Sequence, residues 1–123
     1  MLKLLKLSMI WLIVVLLALD QITKYLFGNV TNYGAAFGIL QGYSWLFILI
    51  GFMVIILCIK YYKKYELPLS LLLSGTMGNL IDRIALGYVR DFIDVRFWPV
   101  FNLADAFNCV GMGILIWILI KKT

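Results

Sequence analysis

Four long runs of apolar residues, separated by short polar segments, dominate the chain. The runs cover residues 7–19, 45–59, 67–81 and 103–120. A helix needs about 20 residues to cross a bilayer, so each run is expected to include flanking residues. We therefore predict an all-α membrane protein with one domain, residues 1–123, and four transmembrane helices over residues 7–27, 43–60, 67–84 and 103–121.

Basic residues are unevenly divided between the two sides of these predicted helices. One side carries seven lysines and a single acid, Glu66, whereas the other carries four basic residues and five aspartates. Loops rich in lysine and arginine stay in the cytoplasm. Both termini are therefore expected to face the cytoplasm, and the five aspartates are expected at the outer surface of the membrane.

The composition excludes several classes of protein. Apolar residues make up 64% of the chain and charged residues 14%, against about 45–50% and about 25% in soluble domains. A chain of 123 residues cannot bury so much apolar surface within itself, so the excess must face lipid. A soluble enzyme is excluded. So is a nucleic-acid-binding domain, because the net charge of +5 is not gathered in one patch.

The sequence contains no histidine, which excludes Ser-His-Asp and Cys-His catalysis and histidine-ligated metal sites. Cys58 and Cys109 form no CxxC motif and are expected to be small packing residues at different membrane depths. Any chemistry must therefore use Asp, Asn, Lys, Arg, Ser or Thr, and we expect neither a metal nor a cofactor.

Polar residues of the predicted helices concentrate at their outer ends, where ionisable side chains are costly and are functional candidates. Asp20 and Lys24 share one face of the first helix and are able to form an ion pair. Asn79, Asp82 and Arg83 share one face of the third helix. That face is either a packing surface ending in a salt bridge or part of a site.

The fourth helix opens with Asn102 and Asp105, which match an N-cap residue followed by an acid at the third helical position. Asp91 lies in an outer loop with an alternating apolar and polar pattern, as either a solvated carboxylate or a functional one. Two carboxylates that meet in a low-dielectric site share a proton, which is the aspartic-protease arrangement. The separation of Asp91 and Asp105 along the chain permits this contact without requiring it.

Five short blocks resemble, in order and spacing, the signature blocks of the lipoprotein signal peptidase (signal peptidase II) family. They are Asp20–Lys24, Asn32–Phe37, Gly75–Arg83, Val89–Phe92 and Phe101–Asp105. The resemblance implies an intramembrane aspartic endopeptidase, a multi-pass protein of the bacterial cytoplasmic (inner) membrane with its active site at the extracytoplasmic face. Such an enzyme removes the signal peptide from prolipoproteins by cutting just before a diacylglyceryl-modified cysteine.

The same resemblance implies roles for individual residues. Asp91 and Asp105 match the catalytic dyad of the family. Six further residues match those that orient the dyad and the substrate: Asp20, Asn32, Asn79, Asp82, Arg83 and Asn102. The implied partners are the prolipoprotein substrate, membrane lipid and inhibitors of the globomycin type, with no cofactor and no nucleic acid.

The chain is shorter than usual members of that family, since seven residues separate Lys24 from Asn32. The small extracytoplasmic β-like cradle over the substrate is therefore expected to be reduced to residues 27–37 and a strand at 91–97. The alternatives are a small four-helix transporter or channel, a peptidase using Ser44 and Lys24, and a non-catalytic protein that retains the fold. A transporter would place its acids at the membrane midplane.

Overall fold

The computed structural model describes residues 2–35 and 39–123, with side chains described from Met9 onward. Met1, Ala36, Phe37 and Gly38 lie outside the described residues, so the end of the second resemblance block has no structural account. The described residues form four helices and two short strands. In chain order these are α1 Leu2–Phe27, β1 Val30–Asn32, α2 Ser44–Tyr61, α3 Glu66–Leu86, β2 Val89–Asp91 and α4 Leu103–Lys122.

Within the described residues, three helical segments are long and apolar enough to cross a membrane: Met9–Phe27, Ser44–Tyr61 and Leu103–Lys122. The prediction of a mostly helical membrane protein is confirmed. α3 has 21 residues, but it carries buried polar side chains along its length, including Ser70, Ser74, Asn79 and Asp82. Transmembrane crossing by α3, and the orientation of all four helices, stay predictions.

α3 is polar because it occupies the centre of the bundle. It packs against α1, α2 and α4, whereas α2 and α4 make almost no direct contact with each other in the described parts of the chain. Its leucines Leu69, Leu72 and Leu73 form a core with Cys58 of α2. The Ser74 hydroxyl donates a hydrogen bond to the Ser70 carbonyl at 2.7 Å, so it is satisfied within the helix.

Two glycines let the neighbouring helices approach α3 closely. A Cβ atom placed on Gly78 would collide with the Asp20 carboxylate of α1. A Cβ atom on Gly75 would collide with the Asn108 side chain and the Ala104 carbonyl of α4. The C-terminal half of α3 therefore admits polar groups from α1 and α4.

The predicted β-like cradle is present as a two-stranded antiparallel sheet, in which Val30 lies opposite Asp91 and Asn32 opposite Val89. The prediction of a strand over residues 91–97 is wrong, because β2 ends at Asp91. Beyond it, the Ile93 N–H donates to the Phe101 carbonyl and the Phe101 N–H to the Ile93 carbonyl. This pairing folds the intervening residues into a loop.

α1 as a helix begins at Leu2, and the predicted membrane span over residues 7–27 stays a prediction. The prediction for the two cysteines requires correction. Cys58 and Cys109 are both free, but only Cys58 is buried. Cys109 was expected to be a packing residue and is instead exposed on α4.

Candidate active site

The fold brings two acidic residues together at the end of the bundle where α3 ends and α4 begins. Asp91 ends β2 and Asp105 lies in the first turn of α4, and both are buried. Asn102 joins them: its Nδ2 donates to Asp91 Oδ1 at 2.9 Å, and its backbone N–H donates to Asp105 Oδ2 at 3.1 Å. Asn102 therefore bridges the two carboxylates, and the direct sharing of a proton between them stays a prediction.

Asp105 is held by the cap of α4. The Asn102 side chain accepts a hydrogen bond from the Asp105 N–H at 2.9 Å, which completes a reciprocal capping box. The other carboxylate oxygen, Oδ1, accepts from Asn79 Nδ2 at 3.0 Å. Donors on both oxygens fix the orientation of this carboxylate and stabilise a negative charge on it.

Asp91 has a different environment. Burial raises the pKa of Asp91 to about 7, and the nearby charge of Asp105 adds to this rise. Hydrogen bonding by Asn32 and Asn102 partly offsets it. A carboxyl group that keeps its proton near neutral pH, beside an ionised partner, is a candidate general acid.

Asn32 organises the loop that follows β1. Its Nδ2 donates to the Ala35 carbonyl, and its Oδ1 accepts from the Gly34 N–H at 2.9 Å and from Gln41 Nε2 at 2.6 Å. The side chain is buried, so these bonds hold the loop against the sheet. Asn32 thereby forms one wall beside Asp91.

Lys24 was not predicted to support the dyad: it was considered as a partner for Asp20 and in the Ser44–Lys24 alternative. The predicted ion pair is confirmed, with Lys24 Nζ 2.8 Å from Asp20 Oδ2. The ammonium group, which is completely buried, also donates to the Gly78 carbonyl at 3.1 Å and to Asn79 Oδ1 at 2.9 Å. Since Asn79 donates to Asp105, the cation reaches the dyad through one amide. Because Lys24 falls within the block Asp20–Lys24, the resemblance could have identified it as a site residue.

Asp20 links two helices. One carboxylate oxygen pairs with Lys24, and the other accepts from the Ala104 N–H at 2.9 Å. That N–H lies in the first turn of α4 and has no partner within its own helix. Asp20 therefore ties α1 to the start of the helix that carries Asp105.

Asp82 fixes the position of β2. Its oxygens accept from Arg90 Nε at 3.1 Å and Arg90 Nη2 at 2.9 Å, and also from the Arg90 backbone N–H at 3.0 Å. Gln21 also holds the Arg90 side chain, because its Oε1 accepts a hydrogen bond from Arg90 Nη2. Gln21 and Arg90 were missed as site residues, although both fall within resemblance blocks. They anchor the residue directly before Asp91.

Arg83 points away from this network. Its Nη2 donates to the Gly34 carbonyl at 3.1 Å, and its guanidinium lies 5.3 Å from the centre of the Phe47 ring. Among the described residues, Arg83 Nε and Asn108 Oδ1 are buried polar atoms with no hydrogen-bond partner. Both side chains line the same groove.

That groove runs between α2 and α4 and has a volume of about 640 Å³. Polar residues lie at the end beside Asp105, and apolar residues such as Val54, Leu72 and Met112 line the rest. The same three residues also line a further apolar pocket of about 380 Å³ that extends toward Tyr65. The groove exists because α2 and α4 pack on α3 and not on each other.

The structure thus separates the predicted site residues into two sets. A continuous hydrogen-bonded network joins most of them: Asp20, Asn79, Asp82, Asp91, Asn102 and Asp105. Arg83 and Asn32 lie at its edges, toward the groove and the loop. The Ser44–Lys24 alternative finds no support, since the Ser44 hydroxyl donates to the carbonyls of Tyr33 and Gly87.

Comparison with known proteins agrees with this geometry. The family model for signal peptidase (SPase) II matches residues 12–121. The chain belongs to the signal peptidase II family. A lipoprotein signal peptidase of Halothermothrix orenii is 50% identical over an alignment that covers 71% of this chain and 64% of that protein. One from Caldanaerobacter subterraneus is 42% identical, over 85% of this chain and 90% of that protein.

Two solved structures of bacterial membrane enzymes share the fold. One, at 2.3 Å resolution, has a TM-score of 0.85 and 31% identity over 93% of this chain and 88% of its own. The other, at 1.9 Å resolution, has a TM-score of 0.80 and 31% identity over 94% of both chains. The similarity extends over most of the chain, and it does not favour the transporter or channel alternative.

Proposed function

We propose that this member of the signal peptidase II family is an intramembrane aspartic endopeptidase. It removes the signal peptide from prolipoproteins by cutting just before a diacylglyceryl-modified cysteine. The observation that carries the proposal is the buried pair of Asp91 and Asp105, joined through Asn102. The lipoprotein signal peptidases to which the chain is similar support the class of substrate.

The mechanism uses one proton shared by the dyad. Ionised Asp105 accepts a proton from a water molecule, whose oxygen attacks the scissile carbonyl carbon. Protonated Asp91 gives its proton to the carbonyl oxygen, which forms a tetrahedral diol. In the second step Asp105 returns its proton to the leaving nitrogen, the C–N bond breaks, and Asp91 recovers a proton as the new carboxyl group forms.

Six residues hold the dyad and the substrate in place. Asn79 and Asn102 orient Asp105, and Asp20 and Asp82 anchor α4 and β2. Arg83 and Asn32 border the site, and the unpaired Arg83 Nε and Asn108 Oδ1 offer a donor and an acceptor to the substrate backbone. The long apolar groove beneath them suits a signal peptide that lies within the bilayer.

The proposal includes the arrangement in the membrane. Residues 1–123 form one domain with four spans, near residues 7–27, 43–60, 67–84 and 103–121, and both termini lie in the cytoplasm. Lysines at one end of the helices support this orientation. The dyad then lies at the extracytoplasmic face of the cytoplasmic membrane, where the groove also offers a place for globomycin-type inhibitors.

The test is cleavage of a diacylglyceryl-modified prolipoprotein by the purified protein in detergent or bilayers. Asp91→Asn and Asp105→Asn keep the shape of each side chain but remove its proton transfer, so each should lower kcat by about 10²–10⁴-fold. Asp94→Asn is the matched control, because Asp94 is exposed and bonds only a loop N–H among the described residues. Cleavage by the folded dyad variants at the parent rate would contradict the aspartic mechanism.

A further inference from the structure

A second pocket opens beside Asp105, next to the groove between α2 and α4. Its volume is about 390 Å³, and it lies between the loop before α4 and the first turns of that helix. We call it the Phe101 pocket. Its walls include Val95, Trp98, Phe101, Ala106 and Val110.

The walls of the Phe101 pocket are suited to hydrocarbon. They are aliphatic and aromatic apart from Asp105 and Cys109. Both carboxylate oxygens of Asp105 already accept hydrogen bonds, from Asn79 and Asn102. A polar ligand would therefore lose hydrogen bonds to water and gain few in return, whereas an alkyl chain would lose none.

The Phe101 pocket adjoins the proposed substrate groove. Asp105 and Cys109 line both cavities. A third cavity, of about 250 Å³, is lined by Asp91 and in part by the polar residues Thr31 and Gln41. Three cavities of different chemistry therefore border the two carboxylates.

The substrate also extends in three directions from its lipidated cysteine. The signal peptide leaves in one direction, the mature polypeptide in another, and the lipid extends from the cysteine sulfur. We propose that the Phe101 pocket receives an acyl chain of the diacylglyceryl group, while the groove holds the signal peptide and the Asp91 cavity holds the mature chain. This assignment rests on the proposed function and adds the element that selects lipidated substrate.

The pocket is tested by filling it. Ala106→Phe places a ring in the Phe101 pocket, and Ala85→Phe makes the same change at an exposed position near the outer end of α3. Substrates carry acyl chains of about 16 or about 2 carbons. Each buried methylene contributes about four-fold in affinity. Ala106→Phe should therefore lower kcat/KM for the long-chain substrate by at least about ten-fold and change the short-chain value by less than about two-fold.

The outcomes distinguish this inference from the proposed function. A parent enzyme that cuts neither substrate contradicts the proposed function. A parent that cuts both, with Ala106→Phe either unchanged or equally impaired on both, overturns the acyl pocket. Ala85→Phe should behave as the parent, and an equal loss in this control would likewise overturn the assignment.

Photo-crosslinking gives a measurement that does not depend on the folding of Ala106→Phe. A substrate with a photoactivatable group in its acyl chain is bound to Asp91→Asn, which holds it uncut, and the attachment sites are mapped by mass spectrometry. Crosslinks should fall within residues 95–110. Crosslinks confined to α1 or α2 overturn the proposal, as does labelling that excess unmodified substrate fails to reduce, which would indicate bilayer lipid.

Discussion

At the residue scale, the site depends on giving two chemically identical side chains different environments. Asp105 receives hydrogen bonds on both oxygens from Asn79 and Asn102. Asp91 is hydrogen-bonded by Asn32 and Asn102, and burial raises its pKa to about 7. In the proposed mechanism Asp105 is the base and Asp91 is the acid.

The dyad should give the reaction a pH profile that declines above neutrality. The pKa of Asp91 is about 7, raised by burial and by Asp105. As pH rises through this value the shared proton is lost, both carboxylates become ionised, and kcat/KM should fall by about ten-fold per pH unit. Steady-state rates on a lipidated substrate between pH 5 and 9 measure this. A profile that stays level or rises above pH 8 would contradict the assignment of Asp91 as the acid.

At the element scale, glycines of α3 decide how closely the other helices approach the site. Gly78 leaves room for the Asp20 carboxylate, and Gly75 leaves room for Asn108. Asp20 in turn holds the first turn of α4 through the Ala104 N–H. The position of Asp105 in α4 therefore depends on two positions of α3, Gly75 and Gly78, that carry no side chain.

Gly78→Ala should disturb both stability and activity. The added methyl group would overlap the Asp20 carboxylate, and overpacking of this kind costs about 1–3 kcal/mol. Gly113→Ala is the matched control for stability, because its Cβ would meet no described atom within 4 Å and alanine favours a helix. The midpoint of thermal unfolding in detergent should fall for Gly78→Ala only, and the kcat/KM of Gly78→Ala should fall below that of the parent. Equal unfolding midpoints of the two variants would show that this close approach is not required.

At the scale of the whole molecule, a polar central helix is shielded by three more apolar neighbours. α3 carries the buried side chains of Asn79 and Asp82, which would be costly in contact with lipid. Packing against α1, α2 and α4 removes that cost, and it also leaves α2 and α4 apart, which creates the groove. The same arrangement that shields α3 thus leaves room for the proposed substrate.

The proposed orientation places the two ends of α3 on opposite sides of the membrane. Cys58→Ser and Cys109→Ser remove the native thiols, and a single cysteine is then introduced as Lys63→Cys, before α3, or Asp94→Cys, after it. In intact spheroplasts a membrane-impermeant maleimide should label Asp94→Cys and should label Lys63→Cys only after lysis. Labelling of both before lysis would show that α3 does not span. Labelling of Lys63→Cys alone would show the reverse orientation.

Much of the local structure follows from the sequence alone. The apolar runs predicted the helices, and the spacing of Asn102 and Asp105 predicted the cap of α4, which is confirmed. The four-residue spacing of Asp20 and Lys24 predicted their ion pair, which is also confirmed. These signals are readable because each depends on residues within one or two helical turns.

Contacts between distant segments were decided only by the tertiary structure. In the folded chain, Asn102 bridges Asp91 and Asp105. Lys24 donates a hydrogen bond to Asn79, and Arg90 forms an ion pair with Asp82. The tertiary structure also ended β2 at Asp91 and left Cys109 exposed beside two cavities. Periodicity determines which face of each helix is apolar or polar. The rotation and spacing of packed helices, set here by glycines and the central position of α3, determine which polar groups meet.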